Sequence, residues 1–364
     1  MWRTCPILSS LDFVMAHWKQ KWITLLSWAL LLLVSLACGP MVTQRGPVLV
    51  PPIGDDNVSP LSHPDREFPK EAARVRALAF DPTGRWLATG GDDGKIRVWD
   101  FRYFAGAASV AARGPITSLA YSPDGRLVAS GSEDGTVQLW DALRWKEERA
   151  LIGHKGAVNC VAFNPDGDFV VSGGADRTVK VWEIATGRNV KTLSGHTGAV
   201  NAMAFSPDGE ILATASSDGT VRVWDWRREQ ALRVISGHGE PVHTVDFRPD
   251  GRILASGSGS LSSLGSHGGY ALWDTKSWSE VPGMSPRSPV VEVAFRPDGE
   301  VLAVAYKQGW ELWGADLYDF REARVVRHFV AHRGGITALA WSPDGTWLVS
   351  AGADRRIAGW RFAR

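Results

Sequence analysis

Three parts of the sequence bring together a histidine, a hydroxyl side chain and an aspartate at one spacing. In the first, Ser172 and Asp176 follow His154 by 18 and 22 residues. Such a trio can activate a hydroxyl as a nucleophile, with the histidine as general base. The pattern recurs as His196, Thr214 and Asp218, and as His332, Ser350 and Asp354. Because an enzyme has no use for three copies of one catalytic set, we interpret the trios as structural and predict no enzymatic activity.

A turn motif recurs along the chain and sets the phase of these trios. The phrase aromatic-x-Pro-(Asp/Thr)-Gly occurs seven times between Phe80 and Gly345, at intervals of 41, 42, 42, 42, 48 and 46 residues. Residues 71–364 divided into seven units give 42 residues each. A period of 40–45 residues is typical of propeller blades with four strands per unit. The prolines are Pro82, Pro123, Pro165, Pro207, Pro249, Pro297 and Pro343.

Each unit contains short alternating segments separated by turn residues. In the third unit, AVNCVAF, FVVSGG, TVKVWEI and NVKTL are joined by NPDG, ADRT and ATGR. Apolar alternation over five to seven residues between such turns predicts antiparallel strands. The sequence therefore predicts an all-β fold after residue 71.

These repeats resemble the WD-repeat (WD40) family of β-propellers, whose units begin near Gly-His and end near Trp-Asp. Gly-His stands at positions 153–154, 195–196 and 237–238. The corresponding repeat ends are Trp99-Asp100, Trp140-Asp141, Trp182-Glu183, Trp224-Asp225, Trp273-Asp274, Trp313-Gly314 and Trp360-Arg361. The resemblance implies that each trio joins a tryptophan in a hydrogen-bonded tetrad inside one blade. The tryptophans of the three complete sets are Trp182, Trp224 and Trp360.

We therefore expect a seven-bladed propeller of four-stranded antiparallel sheets over residues 61–364. The last unit ends after its third strand, so the closing strand should come from residues 61–69, near Leu61 to Phe68, with Val48 to Val50 (within 47–51) as the alternative. An unpaired edge at that place would invite aggregation. The expected repeats are approximately 71–102, 103–143, 144–185, 186–227, 228–275, 276–320 and 321–364.

Four units depart from the pattern. Glu71 and Ala112 stand at the histidine position of the first two units, and Pro286 stands there in the sixth. The fifth keeps His238 and Ser256 but has a Gly-Ser insertion, residues 257–269, in place of the aspartate. We expect blades five and six to be the least rigid.

The N-terminal region has the composition of a leader. Lys19 and Lys21 precede an uncharged apolar run from Ile23 to Ala37, which is typical of a signal peptide over residues 1–37, with translation starting at Met15 as an alternative. Cys38 follows a sequence that resembles a bacterial lipobox, so we expect lipidation there. Residues 38–60 then form a Pro-rich tether. The prediction is an exported, membrane-anchored lipoprotein facing the periplasm or cell exterior. The alternatives are a signal anchor in place of the lipid, and a secreted soluble protein.

Composition and motifs reduce the number of function classes that the sequence allows. A net charge of +1 disfavours a nucleic-acid partner. The chain has no GxxxxGK[ST], HExxH or GxSxG motif, and we expect neither a cofactor nor a metal. We therefore predict a monomeric, non-enzymatic scaffold for other proteins. The alternatives are a propeller that binds a small ligand or metal in its channel, and an envelope-assembly lipoprotein. The candidate partner face contains Trp310, Tyr306, Arg177, Arg355, Lys155 and Arg333.

Overall fold

The computed structural model describes residues 63–260, 267–281, 288–308 and 312–362. Within these ranges the chain forms 27 β-strands and no helix. The predicted leader, the lipidation site Cys38, the tether and the alternative closing segment Val48 to Val50 lie outside the described residues. In the described part of the chain, no helix is long and apolar enough to cross a membrane.

Seven antiparallel sheets follow one another around the ring, and each forms one blade. The innermost strand of each blade is the one that follows the connection from the previous blade. Blade one contains β2 (Val75–Phe80), β3 (Trp86–Gly91), β4 (Lys95–Asp100) and β5 (Ala105–Ala111). Blade two contains β6 (Ile116–Tyr121), β7 (Leu127–Ser132), β8 (Thr136–Asp141) and β9 (Lys146–Ile152). Blade three contains β10 (Val158–Phe163), β11 (Phe169–Gly174), β12 (Thr178–Glu183) and β13 (Asn189–Ser194).

The next three blades continue this order with one local change. Blade four contains β14 (Val200–Phe205), β15 (Ile211–Ser216), β16 (Val221–Asp225) and β17 (Gln230–Ile235). Blade five contains β18 (Val242–Phe247), β19 (Ile253–Gly259) and β20 (Gly268–Asp274), and Glu280 forms an isolated bridge to Trp273. Blade six contains β21 (Val290–Phe295), β22 (Val301–Gln308), β23 (Leu312–Asp319) and β24 (Arg324–Arg333).

The two ends of the propeller meet in blade seven. It contains β25 (Ile336–Trp341), β26 (Trp347–Gly352), β27 (Ile357–Arg361) and, as its outer strand, β1 (Arg66–Glu67). β1 pairs antiparallel with β27, Arg66 opposite Gly359 and Glu67 opposite Ala358. The backbone amide of Phe68 extends the pairing to the carbonyl of Ile357 at 3.1 Å. The ring is thus closed by residues from both ends of the repeat region.

Side chains on the innermost strands join neighbouring blades. The amide of Asn159 donates to the carbonyl of Val200, and the amide of Asn201 donates to the carbonyl of Val242, both at 2.8 Å. Thr117 makes the equivalent bond to Val158. Each bond satisfies a carbonyl at the start of the next inner strand, so these residues hold the blades in register around the ring.

The Pro-Asp-Gly and Pro-Thr-Gly turns form a second ring of contacts on the face opposite the Gly-His connections. Gly84 has φ 71°, and a Cβ added there would lie 3.3 Å from Pro343 of blade seven. Gly125 lies in the same way against Pro82, and Gly209 lies against Pro165. Glycine is required because the turn needs a left-handed backbone and the neighbouring proline ring leaves little space. The repeated motif therefore encodes blade-to-blade packing as well as a turn.

The hydrophobic core lies between blades. One cluster combines Leu139 and Leu151 of blade two with Phe163 and Trp182 of blade three. At the closing joint, Phe68 packs with Trp99 of blade one in the cluster that also contains Ile357 of blade seven. Burying a large apolar side chain stabilises a fold by about 1.5–3 kcal/mol, so each joint carries a substantial share of the stability.

Candidate functional site

In blade three the predicted tetrad forms one continuous series of hydrogen bonds. Nδ1 of His154 lies 3.0 Å from the Asp176 carboxylate, and its Nε2 lies 2.8 Å from the Ser172 hydroxyl. Trp182 donates its indole N–H to the same hydroxyl at 2.8 Å. Because a carboxylate only accepts, Nδ1 carries the proton and Nε2 accepts from Ser172. Every polar group of the tetrad therefore has a partner.

Blades four and seven repeat this arrangement. His196 bonds to Asp218 and to Thr214, each at 2.8 Å, and Trp224 donates to Thr214 at 2.9 Å. In blade seven the three corresponding distances are 2.9, 2.9 and 3.2 Å. Its members are His332, Asp354, Ser350 and Trp360.

Burial and hydrogen bonding set the charge states of these groups. Burial lowers the pKa of His154 and of His196, although the neighbouring aspartates favour protonation. Burial alone would raise the pKa of Asp176, but hydrogen bonds from the Lys155 amide and the Thr178 hydroxyl outweigh it and lower that pKa. Ser172 is fully buried, with its hydroxyl engaged on both sides. A neutral imidazole, a carboxylate and an inaccessible hydroxyl form a structural core rather than a nucleophilic site.

Blade one builds the same position with different chemistry. Glu71 replaces the histidine and accepts from Thr89 at 3.1 Å, while Trp99 donates to Thr89 at 3.1 Å. Two carboxylates now face each other, and Arg97 bridges them, 2.9 Å from Glu71 and 2.6 Å from Asp93. Burial raises the pKa of Glu71 against the attraction of Arg97. The guanidinium of Arg97 thus takes the place of the imidazole N–H that bonds to the aspartate in the complete tetrads.

Blade two keeps only part of the tetrad. Trp140 donates to Ser130 at 2.9 Å. Ala112 stands at the histidine position. Asp134 still accepts from the backbone amide and hydroxyl of Thr136, as Asp176 does from Thr178 in blade three, so the turn is kept without the histidine.

Blade six requires a correction to the predicted repeat end. Leu302 pairs with Tyr318, whereas the equivalent pair in blade three is Val170 with Trp182. The residues at the Trp-Asp position are therefore Tyr318-Asp319, and the assignment of Trp313-Gly314 to it was wrong. The physical reason is a four-residue extension of the β22–β23 hairpin: Tyr318 lies 21 residues after Pro297, against 17 from Pro165 to Trp182.

A separate polar cluster occupies the interior of blade six. Nδ1 of His328 lies 2.7 Å from the Asp316 carboxylate, and Tyr306 donates its hydroxyl to that carboxylate at 3.0 Å. Burial raises the pKa of Tyr306. Tyr306 is only 9% exposed, so its assignment to the partner face was wrong.

Four of the predicted partner-face residues are exposed on the face that carries the connections between blades. We call this the upper face: it contains those connections and the turns between the second and third strands of each blade. Lys155 lies in a connection, Arg333 is the last residue of β24, and Arg177 and Arg355 lie in turns. Trp310 lies outside the described residues. Lys155 and Arg177 flank Asp176, and Arg333 and Arg355 flank Asp354.

The structure shows a feature of the two turn arginines that our reading of the sequence missed. Arg177 and Arg355 have φ of 70° and 68°, a left-handed conformation that favours glycine. Gly94, Gly135 and Gly219 occupy the same turn position in blades one, two and four. The signal in the sequence was Asp-Arg in place of Asp-Gly.

The joint between blades five and six contains two carboxylates that the sequence analysis also missed. Asp246 accepts from the backbone amide of Phe295 at 2.7 Å, and Glu292 accepts from Thr244 at 3.1 Å. Burial raises the pKa of Asp246 to about 7 and that of Glu292 to about 8. In the described part of the chain, no group of three His, Cys, Asp or Glu residues could hold a metal ion.

Seven radial sheets, closed by pairing of the first and last strands and built on a repeated His-hydroxyl-Asp-Trp core, define a β-propeller of repeat units. The family model described as WD domain, G-beta repeat matches residues 63–100, 109–141, 145–183, 187–225, 229–262 and 323–361. The chain belongs to this WD40 family.

Individual relatives match over much shorter stretches. Ribosome biogenesis protein erb1 of Aspergillus niger is 67% identical over 33 residues, which is 9% of this chain and 4% of that protein. The protein of the same name from Botryotinia fuckeliana is 74% identical over 27 residues, 7% of this chain and 4% of that protein. The present sequence thus spans about one twenty-fifth of these relatives' length, and each match is shorter than one repeat.

Proposed function

We propose that this propeller is a non-enzymatic scaffold that binds partner proteins carrying acidic groups on its upper face. One observation carries the proposal: Arg177 and Arg355 keep arginine where three other blades have glycine at a left-handed turn position. A left-handed backbone costs a residue with a side chain roughly 1–2 kcal/mol. Strain of this kind is found at functional sites, where the side chain serves a purpose beyond the fold.

The surroundings of these arginines support a binding role. Phe104 and Trp145 also have a left-handed backbone, but their rings pack against Trp347 and Tyr121. The side chains of Arg177 and Arg355 are exposed and form no ion pair within the described ranges. Packing therefore does not compensate their strain.

Charge defines the class of partner. Lys155 stands beside Arg177 in blade three, and Arg333 stands beside Arg355 in blade seven, so two basic pairs lie in separate sectors of the upper face. The backbone amides of Lys155 and Arg333 are held by Asp176 and Asp354 at 2.9 and 3.2 Å. The tetrads thus fix the position of the basic pairs, which reduces the ordering cost of association.

We further propose that the scaffold is displayed outside the cytoplasm through an N-terminal lipid on Cys38. The support is the sequence: a basic segment, an uncharged run from Ile23 to Ala37, and a cysteine directly after its small-residue end. Labelling of the full-length protein with radioactive palmitate tests this proposal, with Cys38→Ser as the control. Label that persists in Cys38→Ser, or never appears, contradicts it.

The name of the matched relatives does not provide a better proposal. Ribosome biogenesis is the printed function of proteins of which this sequence matches about 4% of the length. That match is shorter than one 42-residue repeat, and a repeat specifies a blade rather than a partner. No observation on the described part of the upper face favours it.

The decisive experiment replaces both turn arginines with the residue that their backbone prefers. Arg177→Gly/Arg355→Gly should unfold at the same or higher urea concentration, because the strain is relieved, and should lose the proteins crosslinked to the full-length protein in native membranes. Arg126→Ala is the matched control: Arg126 is a highly exposed arginine on the opposite face. Unchanged crosslinking in the double variant, or equal loss in Arg126→Ala, contradicts the proposal.

A further inference from the structure

Blade five retains the donors of a complete tetrad but lacks the carboxylate that accepts from them. In blade three, Asp176 accepts from Nδ1 of His154 and from the backbone amide of Lys155, at 3.0 and 2.9 Å. Blades four and seven repeat both bonds. His238 and Gly239 occupy the two donor positions in blade five.

The other half of the blade-five core is formed. The Ser256 hydroxyl lies 3.0 Å from Nε2 of His238, and Trp273 donates to Ser256 at 2.7 Å. His238 is therefore held in the tetrad position with Nδ1 directed away from Ser256. Among the described residues, no carboxylate bonds to this Nδ1.

A serine stands where blades one, two, three, four and seven have the aspartate. Gly259 donates to the Pro241 carbonyl at 3.1 Å, just as Ser217 of blade four donates to the Ala199 carbonyl at 2.9 Å. The two blades therefore keep the same register up to this point, and Ser260 corresponds to Asp218. A serine side chain carries no charge, so position 260 supplies no carboxylate.

A cavity of about 430 Å³ opens beside these donors on the upper face. Its walls include residues 236–240 and 267–271, together with Trp273 and Glu280. A Cβ added to Gly237 or Gly239 would meet no atom within 4 Å, so the wall beside His238 is open. A volume of 300–1,000 Å³ is typical of small-ligand pockets.

We propose that this cavity binds a carboxylate supplied by a partner protein, which takes the place that Asp176 holds in blade three. The inference deepens the proposed scaffold function, on which it rests, by naming the chemical group recognised in one sector of the upper face. The group is an aspartate or glutamate side chain, or the free carboxylate at the end of a polypeptide. His238 and Gly239 are its donors, and charge-assisted hydrogen bonds of this type are stronger than neutral ones.

The other titratable groups in the cavity restrict the ligand further. Glu240, Glu280 and His267 line it together with His238. Glu240 and Glu280 repel a ligand with several negative charges. A ligand with one carboxylate beside a lysine or arginine instead places its carboxylate on the donors His238 and Gly239 and its positive charge near these glutamates. A mixed-charge peptide therefore fits the cavity better than a run of acidic residues.

NMR on the propeller, labelled at histidine and glycine, tests this site with defined probes. The probes are acetyl-Ala-Asp-Lys-amide, which offers a side-chain carboxylate, and acetyl-Lys-Ala with a free terminal carboxylate. The neutral-isostere control is acetyl-Ala-Asn-Lys-amide. At least one carboxylate probe should shift the resonances of His238 and the Gly239 amide, and the control should not. Binding should also raise the pKa of His238, which burial places at about 4 in the free protein.

Two substitutions locate the bound carboxylate. Ser260→Asp supplies the missing group within the protein itself and should weaken the response at least tenfold, whereas Ser217→Asp adds the same charge to blade four and should leave it intact. His238→Phe keeps a ring but removes the donor, and should abolish the Gly239 response. An equal response to the asparagine control, no response to either carboxylate, or an unchanged response in Ser260→Asp overturns the site. If crosslinking that depends on Arg177 persists in that case, the scaffold proposal stands and only this pocket is lost.

Discussion

The hydroxyl of Thr337 donates a hydrogen bond to the backbone carbonyl of Val75, 262 positions earlier in the sequence. This bond crosses the joint between blades seven and one, and it is equivalent to the bond from Asn159 to Val200 within the ring. The backbone crosses this joint between β1 and β2, and the two ends of the repeat region meet within blade seven, where β1 pairs with β27. The joint beside the closure is therefore made in the same way as the other joints of the ring.

Removing this hydroxyl should weaken ring closure. Thr337→Val leaves the Val75 carbonyl without its side-chain donor, and we expect a loss of about 1–2 kcal/mol in the free energy of unfolding, measured in urea. Thr337→Ser keeps the hydroxyl and should lose less. Equal stability of Thr337→Val and wild type would show that β1 pairing alone closes the ring.

The serine of a complete tetrad should matter more than the serine of an incomplete one. Ser172→Ala removes the hydrogen-bond partner of the Trp182 indole N–H and of Nε2 of His154, whose ring is held in place by Asp176. We expect it to lower the free energy of unfolding by about 2–3 kcal/mol. Ser256→Ala in blade five should cost less, because His238 has no carboxylate clamp among the described residues and can turn towards the cavity. Urea unfolding of both variants checks the order, with the exposed Ser217→Ala as control. The reverse order would contradict the tetrad interpretation.

The positions of the repeats along the chain could be predicted because each Pro-x-Gly turn needs a backbone conformation that few residue types adopt. Gly84, with φ 71° against Pro343, illustrates why the Pro-x-Gly turn recurs in every blade. The expected seven-bladed architecture is confirmed, and among the described residues blade five alone has fewer than four strands. The hydrogen bonds of the three complete tetrads also link the residues that the family resemblance grouped.

The features missed are those in which a different side chain solves the same problem. Tyr318 replaces a tryptophan after a hairpin extension, and a pattern search for tryptophan therefore selected Trp313, five residues too early. Arg97 bridges two carboxylates only because Glu71 and Asp93 come together in three dimensions. Asp246 occupies a position that alanine fills in the other six blades, and its significance depends on burial that one strand does not reveal.

Asp246→Ala should stabilise the protein increasingly as pH rises. The pKa of Asp246 is about 7 when folded, against its ordinary value of 3.8. A raised carboxyl pKa gives a contribution that is fully present below the unfolded pKa and lost as pH rises through the folded pKa. Between about pH 4 and 8 wild type should therefore lose about 2–4 kcal/mol relative to Asp246→Ala, measured by urea unfolding. A difference independent of pH would contradict this.

His238 should have the opposite pH dependence. Burial lowers its pKa to about 4, so the unfolded protein takes up a proton near pH 6.5 that the folded protein refuses. Its contribution is present above the unfolded pKa and lost as pH falls towards the folded pKa. Relative to His238→Gln, wild type should lose on the order of 2 kcal/mol between about pH 7.5 and 5. Because both proteins contain Asp246, the comparison of wild type with His238→Gln separates this effect from that of Asp246. Stability profiles of the two proteins that stay parallel as pH changes would contradict the prediction.

Amide exchange should distinguish the blades by the completeness of their cores. The sequence predicts that blades five and six are the least rigid, and the structure alters the expectation for blade six, because Asp316, Tyr306 and His328 form a replacement cluster there. Blade five has no such replacement among the described residues, and its β20 carries only the isolated bridge to Glu280 on its outer side.

Amides of β19 and β20 should therefore exchange faster than those of β11 and β12, because local opening is easier where fewer contacts hold a segment. Mass-spectrometric hydrogen exchange of the intact propeller measures this difference directly. Ser260→Asp should slow exchange in blade five alone, since a carboxylate in cis would complete the bonds to His238 and Gly239. Uniform protection across the seven blades would mean that packing between blades, and not the tetrads, limits opening.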